Sequence, residues 1–223
     1  MNAQSPEFLA RLVHDLRAPT RALLDLPDWL KDDFEDASVA MTAESSKLLT
    51  LMRENAHQLD HLVSGLARLS RAAHEPQEGR EFLQPAPLIS ALPAMRRVSA
   101  SLSCDEEQIC MAKADLAEIV GEAVANAVRF HPHTTPRMAI EGARQDAVWQ
   151  LRFLDDGLGP DPRICPTATH PFARAAVGET APGSGLGLAA LAAIAQRYGG
   201  EVALTPRRDG TTGAELSLRL RVL

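Results

Sequence analysis

The sequence contains no run of about 18 or more consecutive apolar residues, so no stretch of it reads as a membrane-spanning helix. Its first residues, Met1 to Glu7, are too polar for a signal peptide, and a cytoplasmic location is expected. Positive charge is in short supply. Lys and Arg number 23 against 29 Asp and Glu, the net charge is -6, and no dense basic stripe overrides that average, which argues against DNA or RNA as a partner. Cysteine is scarce as well: Cys104, Cys110 and Cys165 lack metal-ligand spacing and an obvious pairing, and are expected to be reduced thiols without a functional part. Internal repeats and low-complexity tracts are also missing. What remains is a 223-residue chain, 45% apolar and 23% charged, able to bury a core in one or two domains.

The N-terminal part carries a helical beat. Apolar or neutral residues recur at Leu9, Leu12, Leu16, Pro19, Leu23, Leu26 and Leu30, alternating three and four apart, and again at Leu48, Met52, Asn55, Leu59, Leu62, Leu66 and Leu69. The connection, about Glu35 to Thr42, is short enough to make the two helices an antiparallel hairpin. Narrow seams are not fully buried by two helices alone, so a homodimer forming a four-helix bundle is expected, with Asn55 setting register. Pro19 and Pro27 each remove a backbone donor, which predicts a kink near each.

Beyond Glu75 to Gly79 the pattern changes to short strands and helices. The division is a helical hairpin over 1–75, a linker over 76–80, and an α/β sandwich over 81–223, giving an α+β protein overall. Helices are predicted at Ala86 to Arg96, Asp115 to Arg129 and Leu186 to Tyr198. Strands are predicted at Ser99 to Ser103, Gln108 to Met111, Arg137 to Glu141, Ala147 to Leu154, Glu201 to Thr205 and Ala214 to Arg219.

Three constellations can carry chemistry. His14, followed by Asp15, falls at the heptad position furthest from the first seam, so its imidazole faces solvent. Asp15 can hold the ring tautomer during nucleophilic attack, and Arg17 and Arg21 lie on the same side to offset phosphate charge. Glu122, Asn126 and Arg129, spaced four and three, share one helix face that offers oxygen ligands suited to Mg²⁺ and a cation suited to phosphate; a plain solvated face is the alternative. Finally, Asp155-Asp156-Gly157-Leu158-Gly159 is followed by Gly183-Ser184-Gly185-Leu186-Gly187-Leu188. Asp155 can accept the exocyclic amine of adenine while Gly157 and Gly159 let backbone pass close to a base. Gly183, Gly185, Leu186 and Gly187 open a helix whose bare N–H groups can hold phosphate oxygens. Between the two motifs, Pro160 to Pro182 is polar and breaker-rich, as a lid would be, and contains Pro171-Phe172-Ala173-Arg174.

In this order, His-Asp-Leu-Arg-Ala-Pro, an Asn box, Asp-x-Gly-x-Gly, Pro-Phe-x-Arg and Gly-x-Gly-x-Gly, the chain resembles two-component sensor histidine kinases from about Ser5 to Leu223. The resemblance implies a dimerisation and histidine-phosphotransfer hairpin followed by a Bergerat-type ATP-binding domain. It implies ATP with adenine on Asp155, Mg²⁺ on Asn126, and phosphates against Arg129, Gly183, Gly185 and Gly187, under a lid anchored by Phe172. His14 would take the γ-phosphoryl group and pass it to an aspartate of a response-regulator receiver domain, docking near Arg21, Leu24 and Asp28.

Two departures bear on activity. Ala18 stands where many relatives carry Thr or Asn, so weak phosphatase activity is expected, and Glu122 replaces a common Asn, in a metal or an acid/base role. Few residues precede His14, which leaves no room within this chain for a sensor region: either signals come from a separate sensor protein, or these residues are part of something longer. The competing possibilities are a non-catalytic phosphotransfer or scaffold protein and a Bergerat ATPase or serine kinase without phosphohistidine chemistry.

Overall fold

A computed structural model describes residues 6–74, 79–133, 135–173 and 183–221 and divides into two compact units, Met1–Arg71 and Ala72–Leu223. The expected linker at 76–80 falls mostly outside the described residues, and Arg80 is already the first residue of a strand.

In the first unit, α1 (Pro6–Asp36) and α2 (Ala43–His74) follow the predicted hairpin. The helix α1 runs uninterrupted through Pro19 and Pro27. Pro19 cannot donate to the carbonyl of Asp15, and one residue on the Thr20 hydroxyl donates to the Leu16 carbonyl at 2.7 Å. At the start of α2, Thr42 accepts from the Ser45 N–H at 3.0 Å through its hydroxyl, a capping bond that satisfies one orphan donor of the first turn.

The contact seam within the hairpin differs from the predicted one. On α1 it runs through Val13, Thr20 and Pro27, and on α2 through Leu49, Ala56, Val63 and Ser70, each spaced by seven and each buried. Val13, Val63 and Ala67 form its centre, with Leu16, Leu59 and Leu66 packed around them. The predicted positions lie one residue away, and Leu12, Leu23, Leu26 and Leu30 stay 38 to 44% exposed. The apolar stripe is thus wider than a strict a/d seam, and one hairpin covers only its edge. Asn55 is exposed and turns its amide back onto the Leu51 carbonyl at 2.7 Å, so it sets no register within the hairpin.

In the second unit a five-stranded sheet has the order β2-β4-β5-β7-β6, built from β2 (Ser99–Cys104), β4 (Arg137–Gln145), β5 (Val148–Asp155), β6 (Glu201–Pro206) and β7 (Ala214–Arg221). The pair β2–β4 is parallel and the others are antiparallel. A separate ribbon joins β1 (Arg80–Leu83), which the sequence reading missed, to β3 (Ile109–Ala112). Alternate residues Trp149, Leu151 and Phe153 on β5 and Leu216, Leu218 and Leu220 on β7 turn to one face. There they share a core with Ile119, Val120 and Val124 of α4 (Lys113–Phe130) and Leu191 and Ile194 of α5 (Gly187–Arg197). On the opposite face Arg152 bridges Glu141 at 2.7 Å and Glu215 at 2.9 Å across three strands.

The helix expected over Ala86 to Arg96 is divided into α3 (Pro85–Ala91) and a 3₁₀ turn, Pro93–Arg97. Pro93 forces Leu92 into an extended conformation, ψ 134°, and ends the helix. The same effect ends α4, where Pro132 follows His131 at ψ 136°.

A buried polar knot ties the far end of this unit. The Tyr198 hydroxyl donates to Asp115 at 2.7 Å and accepts from the Ala112 N–H at 3.0 Å, Arg197 pairs with Asp115, and the Arg80 guanidinium lies 4.2 Å over the Tyr198 ring. Burial first, then the bond to Asp115, pushes the phenol up to about 12.

Candidate functional site

The exposed histidine stands where its heptad position places it. The side chain of His14 is 85% exposed, and its Nδ1 lies 3.1 Å from Asp15 Oδ1. An ionised carboxylate only accepts, so Nδ1 carries the proton and donates, which leaves the Nε2 lone pair bare toward solvent. Arg17, Ala18 and Arg21 are exposed on the same helix, while Leu24 is half-buried and Asp28 pairs with Arg53 of α2. Of the three expected docking positions, Leu24 therefore offers little surface.

The second constellation assembles between two helices of the α/β unit. Glu122, Asn126 and Arg129 do share a face of α4, but that face is not solvated: Glu122 is 4% exposed. Arg129 Nη1 donates to Asn126 Oδ1 at 2.9 Å and approaches Glu122 Oε1 at 3.9 Å, so one cation holds both oxygens in place. Facing them is the start of α5. A Cβ at Gly183 would stand 3.4 Å from the Arg129 guanidinium, and one at Gly187 would collide with the Glu122 carboxylate. Only glycine lets this loop lie on that helix face. The N-cap position of α5 is Leu186, whose side chain makes no capping bond to the first turn. The side chain of Leu186 is fully buried and anchors the loop, so only its backbone is available to a ligand, as the glycine motif implies.

Asp155 ends β5. Its Oδ1 accepts from the N–H of Gly157 at 2.9 Å and of Ala214 at 3.0 Å. A Cβ at Gly157 would press on the Phe130 carbonyl at 3.2 Å, so the turn lies directly on the end of α4. Gly159, at φ +75°, lies so near the Gly213 carbonyl that a Cβ would stand 2.8 Å from its oxygen, closer than a side chain tolerates. Next to it, His131 Nε2 lies 3.0 Å from Asp156 Oδ1, which also accepts from the Arg137 N–H.

Phe172 is 57% exposed and sits at φ +65°, a conformation uncommon for an aromatic residue. Its N–H donates to the Gly185 carbonyl at 2.9 Å, and Gly185 itself, at φ +68°, has no room for a Cβ against Ala173. The strain joins Phe172 to the glycine loop. The rest of the expected lid, Arg174 to Pro182, lies outside the described residues.

Several residues that support the site were missed. Arg207 donates to the Asp155 carbonyl at 3.1 Å and pairs with Asp209, whose carboxyl is held well below its usual range first by Arg207 and then by Thr211. Gly213 approaches the Asp155 carbonyl so closely that a side chain would collide with it. The signal available was Asp209-Gly210-Thr211-Thr212-Gly213 just before a strand, which reads as an ordinary turn until its partner is known.

Residues 111–222 match the family described as histidine kinase-, DNA gyrase B-, and HSP90-like ATPase. The chain is 27% identical to the histidine protein kinase DivJ of Caulobacter vibrioides over 97% of its own length and 37% of that protein. It is likewise 27% identical to the sensor protein TorS of Escherichia coli, covering 96% of this chain and 24% of TorS. Among solved structures, full-length ShkA in complex with AMPPNP superposes with a TM-score of 0.68 at 21% identity, over 98% of this chain and 46% of ShkA. The chain thus spans less than half of each of these proteins. Among the described residues no helix is long and apolar enough to cross a membrane.

Proposed function

Since the chain belongs to the histidine kinase-, DNA gyrase B-, and HSP90-like ATPase family, on its sensor histidine kinase branch, we propose that it phosphorylates itself on His14 from ATP. The phosphoryl group then passes to an aspartate of a response-regulator receiver domain. The observation that carries this is the face of Glu122, Asn126 and Arg129 lying against an uncapped, glycine-bearing helix start, with Gly183 beside the Arg129 guanidinium.

Adenine is held by Asp155, whose Oδ1 is already occupied by two N–H groups, leaving Oδ2 for the exocyclic amine. Phosphate oxygens take the N–H groups of Gly183, Gly185 and Gly187 and the charge of Arg129, with Phe172 over the nucleotide. Two oxygen-bearing side chains suit a cation that keeps most of its ligands as water and phosphate, so Asn126 and Glu122 would hold Mg²⁺, which supplies neutralisation of the β- and γ-phosphates. Nε2 of His14 attacks the γ-phosphorus, the bond to the β–γ bridging oxygen breaks, and ADP leaves. Asp15 keeps the Nδ1 proton and stabilises the charge that develops on the ring. In the second step the phosphorus–nitrogen bond breaks as a receiver aspartate oxygen bonds to phosphorus. The exposed leucines of α1, together with Leu48 and Met52 of α2, would be covered in a homodimeric four-helix bundle.

The test is incubation with γ-labelled ATP and Mg²⁺. Acid-labile, alkali-stable label that chases onto a receiver domain supports the kinase; nucleotide binding without label supports a non-catalytic scaffold, and acid-stable label a serine kinase. Ala18 offers no polar group for water, so phosphatase activity toward the regulator is expected to be weak and to rise several-fold in Ala18→Thr; brisk activity in the unaltered chain contradicts this.

A further inference from the structure

The loop between β6 and β7 lies behind Asp155 rather than in the nucleotide cleft, yet it touches that residue at three places. The Ala214 N–H donates to the carboxylate Oδ1 at 3.0 Å, Arg207 Nη1 donates to the main-chain carbonyl at 3.1 Å, and Gly213 lies against the same carbonyl with no room for a side chain. The loop is in turn held rigid from within. Asp209 accepts from Arg207 through both Nε and Nη2, and from Thr211 through its N–H and its hydroxyl at 2.6 Å. The Arg207 N–H closes the loop on the Gly213 carbonyl at 3.1 Å. Arg207 is only 17% exposed, so this guanidinium is shielded and its fork has a fixed direction.

We infer that Arg207 is a positioning residue for base selectivity: by fixing the Asp155 main chain from behind, it sets the direction in which the carboxylate meets a purine amine. The inference rests on Asp155 being the adenine acceptor. The physical reason is geometric. A carboxylate with one oxygen tied by two N–H donors can still swing if its own backbone shifts, and hydrogen-bond strength falls steeply with angle. Arg207 and Gly213 remove that freedom at the last residue of β5, which still pairs with Met138 on β4 but lies beyond the last pair with β7, Leu154 with Glu215. Selectivity against a base bearing a carbonyl in place of the amine depends on this aim, because a misaligned carboxylate neither rewards the donor nor repels the acceptor.

The experiment measures binding of ADP and of inosine diphosphate, which differ in the C6 group and in the proton that inosine carries on the neighbouring N1, by titration calorimetry on this chain with Mg²⁺. The unaltered chain is expected to prefer ADP. In Arg207→Ala the preference falls by about fivefold to tenfold, part of the worth of one hydrogen bond to a charged partner, through weaker ADP binding while inosine diphosphate binds as before or more tightly. Asp209→Asn, which loosens the guanidinium without touching Asp155, gives a smaller loss in the same direction and decides the matter if Arg207→Ala melts early. An unchanged preference in both variants, or an equal weakening of both nucleotides, overturns the inference and leaves Arg207 a structural residue. If the unaltered chain does not distinguish the two nucleotides, or Asp155→Asn still prefers ADP, adenine recognition by Asp155 fails first and the role of Arg207 falls with it.

Discussion

The two units bury their apolar residues to different degrees, and the difference separates a core that is complete within one chain from an apolar stripe that is left partly exposed. In the hairpin, Leu23, Leu26 and Leu30 are 42 to 44% exposed and Leu48 is 56% exposed, while its inner cluster centres on Val13, Val63 and Ala67. In the α/β unit, Ile119, Val120, Val124, Ile140, Leu151, Leu191 and Leu218 are fully buried in one continuous core. The elements that carry Glu122, Asn126, Arg129 and Asp155 therefore rest on a core completed within a single chain. The histidine stands on an element whose apolar stripe stays partly exposed.

The largest effect expected from this contrast is on assembly. Leu23→Asp with Leu26→Asp removes about 2 kcal/mol of burial per leucine and adds charge repulsion, so the chain should sediment as a monomer and lose autophosphorylation while still binding ADP. A dimer that survives these changes would place the interface elsewhere.

Next in size is a change confined to the cleft. Gly187→Ala forces a methyl into the Glu122 carboxylate, at a cost of about 1 to 3 kcal/mol if neighbours shift, and should abolish nucleotide binding without altering the dimer. Equal ADP affinity in that variant would show that the α5 start is not part of the site.

The smallest effect concerns the far end of the α/β unit. Tyr198 is neutral in the fold with its ordinary value of 10.0 pushed up to about 12, so the fold favours the protonated form. Its contribution is fully present below pH 10 and is lost as pH rises from there through about 12. Thermal melts across that window should show the α/β transition falling more steeply in the unaltered chain than in Tyr198→Phe. Parallel curves would mean that the phenol is not the group that titrates.

How much was legible in the sequence follows the same division. Strands β4, β5, β6 and β7 and helices α4 and α5 were readable because alternation and helical spacing coincide with burial on one face. The helix broken at Pro93 was misjudged because apolar spacing continued through a residue that cannot continue the hydrogen-bond ladder. The hairpin seam came out one residue off, since a stripe shared between two interfaces is wider than either and spacing alone does not say which edge faces which partner. Of the candidate residues, His14, Asn126, Arg129 and Asp155 stood out by local spacing and motif. The bond of Arg207 to Asp155 spans 52 positions and follows from strand pairing, which no local pattern encodes.

The central claim, that phosphate held in the α/β unit ends on His14, is tested most directly by measuring ADP binding and label from γ-labelled ATP side by side in three forms of this chain. The unaltered chain should bind and become labelled, His14→Gln should bind equally well and take no label, and Asp155→Asn should keep His14 yet bind about tenfold or more weakly and label correspondingly slowly. Undiminished label in His14→Gln, or full labelling of Asp155→Asn despite lost binding, would contradict the account.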